Sequence, residues 1–248
     1  MSILRAPIDL GEIAFSPGGE NWVEFGPVDA RERVAFHDYA ELYAVPGLYD
    51  RVFGEELGMC STARVVGLYA RVLEQLNRPP SAERVLDLGA GNGIGAEELR
   101  AIGVRRVFGL DLEPQARDAA ERDRPGIYDG YLVGDLAELP EPKLAALMAF
   151  EPTAVLALSA LGIDHAPPAV LDRAIGLLPA RGLFGFAVKP TLLAGSDDRA
   201  GLASGYPEFL RELFADRADE LAQDAYVHRR RTDGSDDRAV AFVGRLRD

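Results

Sequence analysis

Asp87, Asp111 and Asp135 stand 24 residues apart, and each closes an apolar run. The runs read Arg84-Val-Leu-Asp87-Leu-Gly89-Ala90-Gly91-Asn-Gly93, Val107-Phe-Gly-Leu-Asp111-Leu112 and Tyr131-Leu-Val-Gly-Asp135-Leu136. Carboxylates at such positions accept hydrogen bonds from hydroxyls and amines and attract cations, which is the chemistry of holding a polar, partly cationic small molecule. The first run leads into a glycine-rich turn, where the absence of Cβ lets backbone come within hydrogen-bond distance of a ligand.

The elements that must position these residues follow from the punctuation between them. Strand, turn, helix, strand is a βαβ unit, and here it repeats: strands at 85–88, 106–110, 128–133, 154–159 and 183–188, with helices at 94–102, after Pro114, 144–150 and 169–178. Pro114 suits the first helical position, where its missing N–H costs nothing. In a doubly wound sheet the ligand crevice lies beyond the carboxyl ends of the strands, so the three aspartates would share one pocket.

In these residues the chain resembles the class I S-adenosylmethionine-dependent methyltransferases, from about Pro79 to the C-terminus and most specifically over Val85 to Leu136. The resemblance implies an α/β fold with a seven-stranded, mostly parallel Rossmann-like sheet, helices on both faces, and the last strand inserted between the fifth and sixth. The hairpin read around Ala225–Arg230 and Val240–Arg245, across Thr232-Asp-Gly-Ser-Asp, fits that order. For the cofactor, Asp87 suits the ammonium and sulfonium of S-adenosylmethionine, and Gly89, Ala90 and Gly91 form the turn beside it. Asp111 is placed to accept both ribose hydroxyls, with Leu112 against the adenine face. Asp135 is placed for the exocyclic amine, and the resemblance implies that the Leu136 N–H reads the ring nitrogen. A dinucleotide fingerprint counted from the strand end would need glycine at 94, where Ile94 stands; a shifted match, Gly91-x-Gly93-x-x-Ala96, starts inside the turn. Each aspartate alone would read as an N-cap or a solvated carboxylate, whereas three in register read as a binding set.

The fourth strand runs into Leu158-Ser159-Ala-Leu-Gly162-Ile-Asp164-His165-Ala-Pro-Pro. Donor and acceptor should meet here, with Ser159 beside the cofactor. His165 is the candidate general base, since a histidine titrates near neutrality; the alternative is a solvated neighbour of a helix cap. The Asn-Pro-Pro-Tyr and Asp-Pro-Pro-Tyr motifs of enzymes that methylate nucleic-acid amines are missing, which weakens a nucleic-acid acceptor. No Gly-x-Ser-x-Gly elbow follows a strand, and no Cys, His and acid cluster has metal-ligand spacing, so no metal is expected.

Ahead of the alternation, residues 1–29 read as an irregular arm able to pair as short strands. Val34, Ala35, Tyr39, Leu42 and Tyr43 mark a short amphipathic helix carrying His37, and Val65 to Leu76 mark a longer one with Ser61 and Thr62 as candidate caps. The expected division is a helical cap over 1–78 and a catalytic domain over 79–248, with Tyr43 or Tyr49 as the cap's cofactor-facing tyrosine. The stretch 190–206 is long for a plain loop, and with Leu192, Leu193 and Phe209 it is expected to shape a partly apolar acceptor pocket. His228 leads Arg229-Arg230-Arg231, read as a solvated strand edge.

With 248 residues and 48% hydrophobic content, the chain can bury one sizeable core plus an appendage. A net charge of −13 opposes nucleic acid, and the single cysteine, Cys60, points to a reducing, cytoplasmic setting. The first residues lack a signal-peptide pattern, and no run approaches the ~20 apolar residues of a membrane span. The reading is therefore a cytoplasmic enzyme that moves a methyl group to a small-molecule oxygen, nitrogen or carbon by in-line displacement. The rivals are a non-catalytic S-adenosylmethionine-binding module and a nicotinamide-dependent oxidoreductase.

Overall fold

A computed structural model describes residues 8–15, 20–163 and 165–248. The chain begins with three short strands, β1 (Leu10–Ala14), β2 (Trp22–Phe25) and β3 (Glu32–Ala35), which pair antiparallel in that order. Helix α1 (Tyr39–Ala44) follows, then a π turn at Asp50–Glu56 and the long helix α2 (Ser61–Gln75). From there strands and helices alternate: β4 (Arg84–Leu88), α3 (Ile94–Ala101), β5 (Arg106–Asp111), α4 (Pro114–Asp123), β6 (Gly130–Val133), α5 (Glu141–Ala149), β7 (Ala154–Ala157), α6 (Pro168–Ile175) and β8 (Leu183–Val188). Two short helices, α7 (Arg199–Ala203) and α8 (Tyr206–Glu212), lead to the hairpin β9 (Ala218–Arg230) and β10 (Asp236–Leu246).

The large sheet has the order β6-β5-β4-β7-β8-β10-β9. Strands β4 to β8 are parallel, while β10 lies antiparallel between β8 and β9, as expected for the last strand. Strands β7 and β8 are apolar throughout because helices cover both faces, and every residue of the two is buried. The order reverses between β4 and β7, and the crevice at their carboxyl ends is where such folds bind ligands.

Helix α2 belongs to this unit. Val65, Val66, Tyr69, Val72 and Leu73 are buried in one cluster with Val85, Val107, Leu156 and Val243 of the sheet. Helix α2, on the N-terminal side of the boundary expected at residue 78, thus packs on the sheet, and the segment before Ser61 touches the same unit at α4 and at the turn after β4. That segment has its own core of Phe15, Val23, Phe25, Val34, Phe36, Leu42 and Phe53.

Two local expectations are corrected. Val34 and Ala35 lie in β3 rather than in a helix, and His37 lies in the turn before α1, because pairing with Val23 and Trp22 overrides a weak helical pattern. The residue before α2 is Cys60, and the Ser61 hydroxyl bonds Tyr226 and His228 instead of capping the helix.

Candidate active site

The turn after β4 is shaped by its glycines. Gly89, Gly91 and Gly93 all have positive φ, a backbone region that costs other residues strain. A Cβ on Gly89 would lie 2.2 Å from the Ala160 Cβ, and one on Gly91 would lie 2.7 Å from the Tyr43 hydroxyl. Two tyrosines brace the turn from beyond α4: the Tyr131 hydroxyl donates to Gly91 O at 2.8 Å, and Tyr128 lies 2.8 Å from Asp87 Oδ2 and 3.0 Å from Ala90 O.

Asp87 is 1% exposed, and burial pushes its pKa up to about 7, with the Tyr128 hydrogen bond opposing the shift and Asp111 adding to it. One hydroxyl hydrogen cannot serve both acceptors that flank Tyr128. When Asp87 is protonated it donates to Tyr128, which then donates to Ala90 O, and both bonds are made. The folded-state pKa lies above the unfolded one, so this group's contribution to stability is full below about pH 4 and is lost as the pH rises toward about 7. Asp87→Asn is expected to melt higher than wild type without ligand, by an amount that grows between those pH values and levels off above at the order of a few kcal/mol. Thermal melts from pH 4 to 8 that show the variant equal to or below wild type at pH 8 would contradict this charge state.

A cavity of 390 Å³ opens at the strand ends. Its carboxylates are Asp111, Glu113 and Asp135, and no arginine or lysine is among its described lining residues. Asp111 takes the Gly91 N–H at 2.8 Å on Oδ2 and the Glu113 N–H at 3.0 Å on Oδ1; these bonds favour the carboxylate, while burial, the larger effect, raises its pKa. Leu112 borders the same cavity and is 63% exposed, an apolar face left open beside a carboxylate. Asp135 lines the cavity while its Oδ1 caps the following 3-10 turn through the Ala137 N–H, and Leu136 lines it from the buried side.

The cap supplies the opposite wall. Tyr39, Tyr43 and Tyr49 all line the cavity, with Tyr43 seated on Ala116 and Ala119 of α4. Asp50 ties the cap to the glycine-rich turn, accepting from Asn92 Nδ2 at 2.5 Å and from Arg124 at 2.8 Å. Burial raises the pKa of Tyr43 and of Tyr49, so both stay neutral.

A second cavity of 290 Å³ adjoins the first, and the two share His37, Tyr39, Tyr49, Ser159 and His165. His165 Nε2 lies 2.8 Å from the Tyr39 hydroxyl, and the His37 ring meets the His165 ring edge to face at 5.6 Å. Asp164 lies outside the described residues. Of the stretch 190–206, Thr191 and Leu192 line the second cavity, whereas Leu193, like Phe209 beyond the stretch, packs against the core of the sheet. Arg229 also lines it: β9 is the sheet's edge and Arg230 is exposed as expected, but Arg229 at 3.1 Å and Arg231 at 2.6 Å both pair with the buried Asp237. Burial, then Arg229, pushes the His228 pKa down to about 3, so that ring is neutral.

Asp87, Gly89, Ala90 and Gly91 thus surround the turn, and Gly89, Asp111, Leu112, Asp135, Leu136, Ser159, Tyr43 and His165 meet at the first cavity. Tyr39 and Asp50, from the tyrosine-bearing cap segment, complete the surroundings together with Tyr128, Tyr131, Asn92 and Arg229, which act there through partners distant in the chain.

Residues 86–151 match the methyltransferase domain family. Among proteins of curated function, none matches the chain in sequence. The fold is shared with solved structures at low identity. The proposed methyltransferase bound by the Trm112 methyltransferase activator of Haloferax volcanii is 20% identical, with TM-score 0.53, 85% of this chain and 98% of that chain covered. A proposed RNA methyltransferase of Pyrococcus horikoshii is 15% identical, with TM-score 0.51 over 75% and 85%. The magnesium protoporphyrin IX methyltransferase of Synechocystis, solved with bound S-adenosylmethionine, is 16% identical, with TM-score 0.50 over 76% and 80%. The family match, the strand order and the strand-end carboxylates agree: residues 86–151 carry a methyltransferase domain, and the sheet has the class I, Rossmann-like fold.

Proposed function

We propose that this methyltransferase acts on a small molecule held in the second cavity, with the cofactor in the first. The observation that carries this reading is the seam between them, where Ser159, His165 and Tyr39 face both. A glycine turn that a Cβ would fill, a carboxylate set without cations and an exposed leucine fit an adenosyl group with a cationic tail. In this reading Asp111 holds the ribose hydroxyls, Leu112 covers adenine, and Asp135 with Leu136 reads its edge. Asp87, Gly89, Ala90 and Gly91 receive the amino-acid end, with Ser159 and Tyr43 closing over it. When bound, S-adenosylmethionine supplies a methyl group on a sulfonium, already an excellent leaving group.

The protein's task is then to align the two molecules and exclude water, an effect that can contribute ~7–11 kcal/mol to lowering a barrier. For a hydroxyl acceptor, His165 would take and hold the proton that the acceptor oxygen gives up as it becomes the nucleophile. A small acceptor is favoured over RNA by the net charge of −13 and by the lining that Phe15, Tyr39, Tyr49 and Phe53 of the segment before Ser61 give the second cavity. The same reading makes the protein free of nucleic-acid and membrane partners; no helix among the described residues is long and apolar enough to cross a membrane.

Thr191 lines the second cavity and not the first. Thr191→Trp should therefore abolish methyl transfer while S-adenosylhomocysteine binds as tightly as before. Calorimetry together with a turnover assay over an acceptor library tests this, and full turnover in the variant would remove the acceptor from this cavity.

A further inference from the structure

The two cavities differ in charge. The first presents Asp111, Glu113 and Asp135; the second presents Lys189 and Arg229, and no carboxylate is among its described lining residues. In a chain of net charge −13 with only two lysines, Lys143 and Lys189, placing one of them with an arginine on the wall of a single cavity needs a reason. Arg229 is held with care: its Nε donates to Asp237 at 3.1 Å, its guanidinium lies 4.3 Å from the Phe15 ring centre, and its side chain is 16% exposed. Asp237 is shared with Arg231, so one buried carboxylate faces two guanidinium groups and Arg229 keeps part of its charge uncompensated. Its terminal nitrogens make no hydrogen bond with the described residues, which leaves the fork available for a planar anion.

Much of the rest of the lining is apolar. Phe15, Phe53, Met59, Leu161, Ala187 and Leu192 supply surface for a hydrocarbon or aromatic body. We infer that the acceptor is a small organic acid: its carboxylate pairs with Arg229 and Lys189, its apolar body lies on Phe15 and Phe53, and its reacting group reaches Ser159 and His165 at the seam. The arrangement sets anion recognition on the acceptor side and cation recognition on the cofactor side, so each cavity repels the other's ligand. This rests on the second cavity being the acceptor's place.

The test titrates S-adenosylhomocysteine-saturated protein with benzoate and with its neutral isostere benzamide, followed by protein NMR. Benzoate is expected to bind at least ~10-fold more tightly, as a charge-assisted pair typically provides. In Arg229→Gln and in Lys189→Gln the preference should shrink, and in the double variant it should fall within about twofold, while Arg229→Lys retains most of it. Lys189 is exposed, so its variant reports even if loss of the Arg229 partner unsettles Asp237. Equal binding of the two probes to wild type, no binding of benzoate, or a preference that survives the double variant would overturn the inference. If the probes bind equally but both are lost in Thr191→Trp, the anion site fails while the acceptor cavity stands. If benzoate binds and Thr191→Trp does not weaken it, the cavity assignment fails as well.

Discussion

His165→Ala lowers kcat by ~10²–10⁴-fold toward a phenolic or other hydroxyl acceptor and leaves S-adenosylhomocysteine affinity near wild type, because help from a general base is realised in the transition state. His165→Asn fares no better, since an amide takes no proton. The geometry adds a companion expectation. The Tyr39 hydroxyl sits 2.8 Å from His165 Nε2, and burial raises its pKa, so Tyr39 remains neutral and either orients the imidazole or passes the acceptor's proton to it. If the proton passes through it, Tyr39→Phe loses nearly as much turnover as His165→Ala; if it only orients the ring, Tyr39→Phe loses much less. Near-native turnover in both His165 variants would show that the acceptor needs no base from this residue, and an amine, thiolate or carbanion nucleophile would then replace the hydroxyl.

Asp111→Ala weakens S-adenosylhomocysteine binding by ~10- to ~100-fold, the range expected when a charged acceptor contributes ~1.5–3 kcal/mol. Two effects combine. The ribose loses its carboxylate, and the Gly91 and Glu113 N–H groups lose the oxygens that hold the turn in place. Asp135→Ala costs less, since its exposed carboxylate already caps the next turn and adenine would keep its apolar contact with Leu112 and its backbone reading at Leu136. Isothermal calorimetry checks the ranking; unchanged affinity in Asp111→Ala would remove the ribose role.

What could be read from the sequence depended on how local the signal was. The alternation from β4 to β8 was legible because Pro114, the glycine-rich turn and the apolar runs act within a few residues, and the three aspartates inherit their positions from it. Strand β3 was not, because Val34 is decided by Val23 across a hairpin rather than by its own neighbours. Nor was Ser61: it has the composition of a cap, but Tyr226 and His228, more than 160 residues away, take its hydroxyl. The arginine run misled for the same reason. Arg229 near the end of β9 and Arg231 just beyond it both reach Asp237, and only the pairing with β10 reveals that buried carboxylate. Tyrosines 39, 43 and 49 read as a core stripe or a lid with one residue at the ligand, and the fold brings all three to the cavity.

The most direct measurement is a crystal structure with S-adenosylhomocysteine bound. The account predicts adenosine in the 390 Å³ cavity with its ribose on Asp111 and its adenine on Leu112, and the thioether sulfur at the seam of Ser159 and His165, facing the 290 Å³ cavity. A ligand whose sulfur points away from the second cavity, or whose ribose leaves Asp111 untouched, would contradict it.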